Sequence, residues 1–484
     1  MERPVILIQP RTNVFDSGKT RPTLPLSLLS AARLAAARHP LRLVDQRADR
    51  GWRDTLRALI REQPLLIGVT SITGNQLFSA LEATRFAREL SPAPIVWGGI
   101  HATLFPDQVL AEPAIDYVVR REGEHTLAEL ADRLADGGDP GGIAGLSFKR
   151  DGQIVHNPER PFAALDALPE VPYAAAGPAP YFLTNGRPTL YLETSRGCFS
   201  QCAYCYNAVY HQHHWRGQSA ATVLDRVARL RRERPEVGHL SLVDDNYFGR
   251  VERALEIAAG LAAAGGALTY QVQGAHGQVI SQLADEDLRL LRRSGCVRLD
   301  MGVESGSPRL LEAMGKRLDL DRVVALNRRL GAIGIRPWYN FMVGFPDETA
   351  ADTAATRHLA LQLLDENPAA LVSPFYQVVP YPGTALFARA VKLGFTPPAR
   401  LDGWRDFHSG AAATPWQDEA TRERHRRLYF LSIFADRKLE QYDTNPLYRV
   451  LARCYRPYAR WRLRRGRLAL LPEAALFRRL FDVS

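Results

Sequence analysis

Residues 190–207 read Leu190-Tyr191-Leu192-Glu193-Thr194-Ser195-Arg196-Gly197-Cys198-Phe199-Ser200-Gln201-Cys202-Ala203-Tyr204-Cys205-Tyr206-Asn207. Leu190 to Glu193 predicts a strand, and three of the five cysteines follow within eight residues at the spacing Cys-x3-Cys-x2-Cys. Three thiolates on one loop suit a soft metal centre and leave one coordination position open. Structural zinc takes four ligands, commonly from paired Cys-x2-Cys knuckles. Cys296 and Cys454 lie far away in sequence, so His211, His213 and His214 are what keep a Cys3His zinc site open as an alternative. The preferred reading is a [4Fe-4S] cluster held by Cys198, Cys202 and Cys205, with one iron left for another ligand.

The strand before the loop is the first of a series. Further strand patterns lie at Leu240–Val243, Leu268–Val272, Val297–Met301, Arg336–Val343 and Leu371–Val378. Helical patterns alternate with them near 221–233, 253–264, 286–293, 320–331 and 353–364. About six βα units predict a complete or partial TIM-like barrel, with its chemistry at the carboxyl ends of the strands. The cysteine loop falls on that face.

Residues 4–136 show the same alternation on a smaller scale. Apolar strands are expected at Val5–Ile8, Leu41–Asp45, Leu65–Thr70, Pro94–Trp97 and Asp116–Val119, with helices between them. This predicts an open, doubly wound, Rossmann-like sheet. Such sheets bind ligands beyond the carboxyl ends of their strands. Those ends carry Pro10-Arg11-Thr12, Thr70-Ser71-Ile72-Thr73-Gly74, Gly98-Gly99-Ile100-His101 and Glu122-Gly123-Glu124. No Gly-x-Gly-x-x-Gly follows the first strand, which argues against a nicotinamide dinucleotide. Leu146–Val155 reads as a hairpin with an Asp-Gly turn, followed by a Pro- and Ala-rich connector. The expected organisation is 1–140, a first domain; 141–187, hairpin and linker; 188–400, the barrel; and 401–484, a mostly helical, Arg-rich region.

Bulk properties fit a cytoplasmic protein. The chain has 484 residues, 46% hydrophobic and 24% charged, too long for one core. No secretion signal or apolar run of spanning length is present. Five cysteines, three of them in one loop, do not make a disulfide framework. The formal net charge is +10, and ten Arg against two acids stand between Asn445 and Ser484, so the basic balance belongs mostly to the tail. Pro457 interrupts that tail and predicts two shorter helices or a kink. Its regularly spaced arginines suit an ordinary face packed on the barrel, or contact with anionic lipid at the membrane periphery. Nucleic acid is not an expected partner.

Cys-x3-Cys-x2-Cys directly after the first strand of a βα barrel, with an aromatic Tyr204 before the last cysteine, resembles the signature of radical SAM enzymes. The first domain, with Trp97-Gly98-Gly99-Ile100-His101 and Asp116 to Glu124, resembles the cobalamin-binding domain of the class B radical SAM methylases. The resemblance covers residues 4 to about 400. It implies a [4Fe-4S] cluster, S-adenosyl-L-methionine (SAM) on the open iron, and cobalamin. It assigns Tyr204, Asp244, Asp245, Glu304 and Ser305 to SAM, and Thr70, Ser71, Thr73, Gly98, Gly99, Glu122 and Gly123 to cobalamin. The Asp-x-His-x-x-Gly motif that supplies a lower cobalt ligand elsewhere is absent, and Arg121 stands where the family often has Gly. The implied activity is C-methylation through a 5′-deoxyadenosyl radical, with methyl supplied by methylcobalamin, on a small-molecule, lipid or tetrapyrrole substrate. A flavodoxin or ferredoxin is the implied electron donor. The alternatives are a radical rearrangement or cyclisation without methyl transfer, and a non-catalytic cobalamin or Fe–S sensor or scaffold.

Overall fold

The computed structural model describes residues 3–12, 22–177, 181, 183–184, 187–408, 414–442, 446–469, 471 and 473. The chain forms two compact units: residues 1–182 with 396–411, and residues 183–395 with 412–484.

In the first unit the strands are β1 (Val5–Gln9), β2 (Leu41–Asp45), β3 (Leu66–Thr70), β4 (Ile95–Gly98) and β5 (Tyr117–Val119). The helices are α1 (Leu26–Ala31), α2 (Trp52–Ile60), α3 (Gln76–Leu90), the short α4 (Ile100–Leu104) and α5 (Pro106–Leu110), and α6 (Glu124–Ala135). All five strands are parallel, in the order β2-β1-β3-β4-β5. Strand β1 is buried along its whole length, as expected of a parallel strand covered by helices on both faces. The strand order reverses between β1 and β3, which places the ligand crevice of such a sheet at their carboxyl ends. The hairpin β6 (Leu146–Arg150) and β7 (Gln153–His156) pairs antiparallel beyond β5, so it extends this sheet.

The second unit holds another seven-stranded sheet. Its strands are β8 (Leu183–Thr184), β9 (Arg187–Leu192), β12 (His239–Val243), β13 (Thr269–Ala275), β14 (Cys296–Glu304), β15 (Arg336–Val343) and β16 (Leu371–Gln377); the small pair β10 (Ser195–Arg196) and β11 (Arg216–Gly217) stands apart. The order is β16-β15-β14-β13-β12-β9-β8, with β9 and β12–β16 parallel and β8 antiparallel. The barrel is therefore partial: six parallel strands that do not close. Between and after them run α7 (Asn207–Tyr210), α8 (Ala220–Glu233), α9 (Val251–Ala264), α10 (Gly277–Ile280), α11 (Asp285–Arg293), α12 (Pro308–Ala313), α13 (Leu320–Ile333), α14 (Ala350–Glu366) and α15 (Ala385–Lys392). Local sequence sets the helix ends. Ser219 caps α8, a Thr349/Asp352 capping box opens α14, and Gly334 in the left-handed region closes α13.

Helix α16 (Glu419–Ile433) covers the edge strand β16. The Val372 and Phe375 amides donate to Asp436 Oδ2 at 2.7 Å and Ser432 Oγ at 2.9 Å, so the edge is satisfied by side chains. Two helices follow, α17 (Lys438–Tyr442) and α18 (Pro446–Arg465). The latter is one helix with Pro457 inside it, so of the two expectations, two shorter helices or a kink, the first does not hold. Packing compensates for the missing N–H: Ala452, Ala459 and Leu463 are buried, Arg453 and Arg456 pair with Glu440, and Arg460 and Arg464 pair with Asp365 on α14. These arginines serve the seating of the helix on its neighbours. Among the described residues no helix is long and apolar enough to cross a membrane.

Candidate active site around the cysteine loop

The chain leaves β9 under the control of the residues after β12. Both oxygens of Asp244 are taken: Oδ1 accepts from the Thr194 and Ser195 amides at 2.6 and 3.0 Å, and Oδ2 from the Thr194 hydroxyl at 2.6 Å. Burial raises the pKa of this carboxyl, and these three donors oppose the rise. Asp245 accepts from the Gly197 amide at 2.8 Å and keeps 20% of its side chain exposed. Gly197 has φ +81°, and a Cβ there would lie 2.0 Å from the His214 carbonyl, so only glycine fits this turn.

The loop that follows is pinned on several sides. Ala203 N donates to the Met314 carbonyl and Leu386 N to the Ala203 carbonyl. Ser200 Oγ lies 3.0 Å from His276 Nε2, at the end of β13. The Ser200 amide and the Asn246 side-chain amide donate to Cys198 Sγ at 3.5 and 3.8 Å. Cys198 and Cys202 are buried and Cys205 is half-buried. Burial pushes the Cys202 thiol up, with Lys316 opposing, and pushes the Cys205 thiol up to about 12. Such thiols bind metal by giving up their protons.

This donor set fits an iron–sulfur cluster better than zinc. Three cysteines on one loop suit three irons of one cluster, whereas structural zinc takes four ligands. The neighbouring histidines are engaged elsewhere: His211 faces Asp245 at 3.4 Å, and His213 Nδ1 lies 3.2 Å from the Ser200 carbonyl.

Glu304, the last residue of β14, sits opposite. Its φ is +69°, and the β14–β15 register shifts between Gly302 and Glu304. This irregularity re-aims the side chain, as bulges do beside functional sites. Its Oε1 meets Lys316 Nζ at 3.0 Å, with only 9% and 8% of the two side chains exposed. Burial lowers the Lys316 pKa, but Glu304 and Cys202 more than offset it, so it stays raised and the lysine charged. Gly302 makes room for the pair, since a Cβ there would lie 2.2 Å from Glu304 Oε1. Tyr204 packs edge-on against Phe345 at 5.8 Å. Phe345 belongs to a loop held by half-buried Glu348, which accepts from the Phe345 amide at 3.0 Å and the Thr353 hydroxyl at 2.8 Å.

The structure thus brings Cys198, Cys202, Tyr204, Cys205, Asp245 and Glu304 to one end of the sheet. It turns two expected residues inward. Asp244 is taken up by the Thr194–Ser195 turn, and fully buried Ser305 binds Thr356 Oγ1 at 3.1 Å and the Ser307 amide at 3.0 Å. Lys316, His276 and the donor role of Asn246 were not foreseen. They reach the loop from separate turns of chain, and nothing in their local sequence marks them.

In the first unit, Thr70, Ser71, Thr73, Gly98 and Gly99 meet at the ends of β3 and β4. Ser71 donates through N and Oγ to the Gly98 carbonyl, both at 2.8 Å. Thr73 Oγ1 lies 3.0 Å from Nδ1 of fully buried His101, whose pKa burial lowers to about 3 and whose ring lies edge-on to Trp404 at 5.5 Å. That histidine faces inward and offers no nitrogen at the lip. Gly99, at φ +95°, is required because a Cβ would lie 2.6 Å from the Ser71 carbonyl. Half-buried Thr70, Gly98 and Gly99, with exposed Ile72, make a small, uncharged lip at the ends of these strands. At the end of β5, Glu122 accepts from the Ala163 amide at 3.3 Å, and Gly123 lets α6 pack close to Ala31 and Val119. Arg121 has φ +58°, a backbone that explains a preference for Gly there; its amide donates to Thr103 Oγ1 and its guanidinium pairs with Glu159, both at 2.8 Å.

Comparison with known proteins agrees with this geometry. Residues 192–360 match the model of the radical SAM superfamily, and residues 11–131 that of the B12 binding domain. The chain belongs to the cobalamin-binding radical SAM family. An uncharacterized methyltransferase of Pyrococcus horikoshii is 29% identical over 378 residues, covering 77% of this chain and 79% of that protein. The cytidylyl-2-hydroxyethylphosphonate methyltransferase of Streptomyces wedmorensis is 24% identical over 449 residues, covering 81% and 83%. The structure of the radical S-adenosylmethionine methyltransferase TsrM from Kitasatospora setae, with cobalamin and a [4Fe-4S] cluster bound, shares the fold, with a TM-score of 0.67 at 21% identity over 82% of this chain and 80% of that one. As a member of this family the chain is a radical SAM enzyme whose cofactors are a [4Fe-4S] cluster, SAM and cobalamin.

Proposed function

We propose that this enzyme transfers a methyl group to a carbon atom of a small-molecule substrate. The observation that carries the reading is the buried three-cysteine loop facing the Glu304–Lys316 pair. Its thiols suit three irons of a cluster, and the charged pair suits an amino acid on the fourth. When bound, the cluster with SAM supplies a radical able to take hydrogen from carbon, and cobalamin supplies the methyl group.

The chain's own residues hold and orient. Cys198, Cys202 and Cys205 ligate iron. Asp245 and Glu304 offer carboxylate oxygens to the SAM ammonium, and Lys316 offers its charge to the SAM carboxylate. Tyr204 and Phe345 wall the site with apolar surface and exclude water. Asp244, Ser305 and Glu348 position these groups through the turns they cap. The strand-end residues Thr70, Ser71, Thr73, Gly98 and Gly99, with Glu122 and Gly123, would hold cobalamin. A flavodoxin or ferredoxin supplies the electron, and the cytoplasm is the site of action.

The test is anaerobic reconstitution with iron, sulfide, cobalamin and methyl-labelled SAM, followed by product analysis. Label in the product together with 5′-deoxyadenosine is expected. Formation of 5′-deoxyadenosine with an unlabelled, rearranged product would replace methyl transfer by the cyclisation reading. Failure to cleave SAM under reductant would leave a binding protein.

A further inference from the structure

The turn after β12 reads Asp244-Asp245-Asn246, and its two carboxylates are taken up by the chain beside them. Asp244 braces Thr194 and Ser195, and Asp245 accepts from the Gly197 amide. Asn246 is 1% exposed, and its main chain is clamped by three donors. Its carbonyl accepts from Trp215 Nε1 at 2.7 Å, from the Gly249 amide at 3.2 Å and from the Ser195 hydroxyl at 3.4 Å. A backbone held in this way fixes where the side chain leaves the turn. That side chain has one hydrogen-bond partner among the described residues: Nδ2 donates to Cys198 Sγ at 3.8 Å. Its Oδ1 is buried and has no partner among them.

A buried amide ordinarily pairs both of its ends. Here the donor end alone is paired, and it is paired to a sulfur. Iron ligation makes that sulfur a thiolate. Turning the amide over would set oxygen lone pairs against the negative charge, so the thiolate selects the donor end. The residue type matters for the same reason. A carboxylate, as at the two preceding positions, would repel the thiolate, and a hydrocarbon would leave it without this donor. An amide is neutral and donates. The Ser200 amide adds a second donor at 3.5 Å. Ser200 is itself tied down, with Oγ 3.0 Å from His276 Nε2 and its carbonyl 3.2 Å from His213 Nδ1. Cys198 thus receives one N–H from its own loop and one from the end of β12.

Hydrogen bonds to the sulfurs are among the levers that set the potential of an iron–sulfur cluster, and outer partners tune a metal centre as well as orient its ligands. One-electron reduction adds negative charge that the thiolates share, so an N–H aimed at sulfur favours the reduced form. Resting on the three-cysteine cluster described above, and not on methyl transfer, we propose that Asn246 is a positioning residue of that cluster: its amide on Cys198 raises the potential at which the cluster accepts an electron. Reduction is thereby brought within reach of a milder electron donor.

The test is an anaerobic redox titration of the full chain reconstituted with iron and sulfide, followed through the EPR signal of the reduced cluster. Asn246→Leu keeps the branching of the side chain and removes the donor. It is expected to lower the equilibrium constant for reduction at least threefold, about 28 mV at 59 mV per tenfold for one electron, with iron per chain unchanged. Asn246→Asp, which sets a carboxylate against the sulfur, is expected to lower it further. A potential in Asn246→Leu equal to the parent's would overturn the inference, and so would a potential in Asn246→Asp at or above the parent's. Should Asn246→Leu hold no cluster, the parent decides. With asparagine labelled with nitrogen-15 at its side-chain amide, pulsed EPR of the reduced cluster should show a nitrogen coupling that changes with the label. A spectrum indifferent to the label would overturn the inference. A parent chain that takes up no iron would overturn the cluster reading and this inference with it, a result distinct from a cluster whose potential ignores residue 246.

Discussion

Replacing Lys316 by Met removes a buried charge and keeps the side chain's length. In the folded chain Lys316 Nζ and Glu304 Oε1 are 3.0 Å apart, and more than nine-tenths of each side chain is hidden from water. Removing one member of such a pair strands the other, which costs about 3–5 kcal/mol. The methionine stem fills the space of the lysine stem, so little of that figure comes from lost packing. Glu304→Gln should cost a similar amount by stranding Lys316, whose buried ammonium loses its carboxylate partner. The double variant Glu304→Gln/Lys316→Met leaves no orphan and should recover roughly 2–3 kcal/mol of the summed losses.

Calorimetry of the cluster-free protein reads this directly. For a unit of this size about 2 °C accompanies each kcal/mol, so each single variant should melt roughly 6–10 °C lower, with the double variant closer to the parent than their sum. A single variant within about 2 °C of the parent would show that water reaches the pair. Strict additivity in the double variant would show that the two groups do not interact. Either result removes the basis for treating them as one charged unit beside the cysteines.

Asp244→Asn should destabilise the second unit by about 2–3 kcal/mol, because an amide accepts fewer of the three hydrogen bonds from Thr194 and Ser195 and meets one of them with its own donor; the measurement is the melting temperature together with iron per chain, both expected to fall. Burial lowers the pKa values of His101, His239 and His425 to about 3, 4 and 4. Their unfolded value is near 6.5, so their contribution to stability is fully present above that pH and is lost as the pH falls toward 4, by up to about 1.4 kcal/mol per pH unit for each. Urea unfolding at pH 7.5 and 5 should show the loss, and equal stabilities would refute it. Pro457→Ala, at an exposed position inside α18, should restore one backbone hydrogen bond and raise stability by about 1–3 kcal/mol, read as a higher melting temperature.

The parallel strands were legible because each is a short run of β-branched and aliphatic residues between helical patterns. Leu41–Asp45 and Arg336–Val343 fall where the periodicity puts them. The ends of β12 and β14 were legible as carboxylate positions, but the roles of those carboxylates were not. Asp244 and Asp245 are neighbours of one type, and only the tertiary position of Thr194 makes the first a brace and leaves the second partly exposed. The same holds for Ser305, which looks like a ligand in sequence and is a buried link to Thr356 in space. One missed signal was present in the sequence. A strand buried on both faces reads as a continuous apolar run, yet Arg298, Asp300, Arg336, Trp338 and Asn340 recur at every second position. That alternation by itself marks a polar inner face.

The two backbone outliers beside the candidate site differ in what holds them. Gly197 adopts its left-handed turn without steric penalty, and it is fixed by the Asp245 carboxylate and by the close approach of His214. Glu304 adopts φ +69° with a full side chain, at a cost on the order of 1–2 kcal/mol. Nothing in β14 demands that cost, since a regular strand would simply carry the carboxylate along its alternating faces. The register shift after Gly302 and the buried Lys316 are what keep the residue there. The strain therefore sets direction: it turns a carboxylate out of the strand toward the cysteine loop and against Lys316. A residue kept in an unfavourable backbone to aim one charged group is better explained by what that group meets than by the stability of the sheet that bears it.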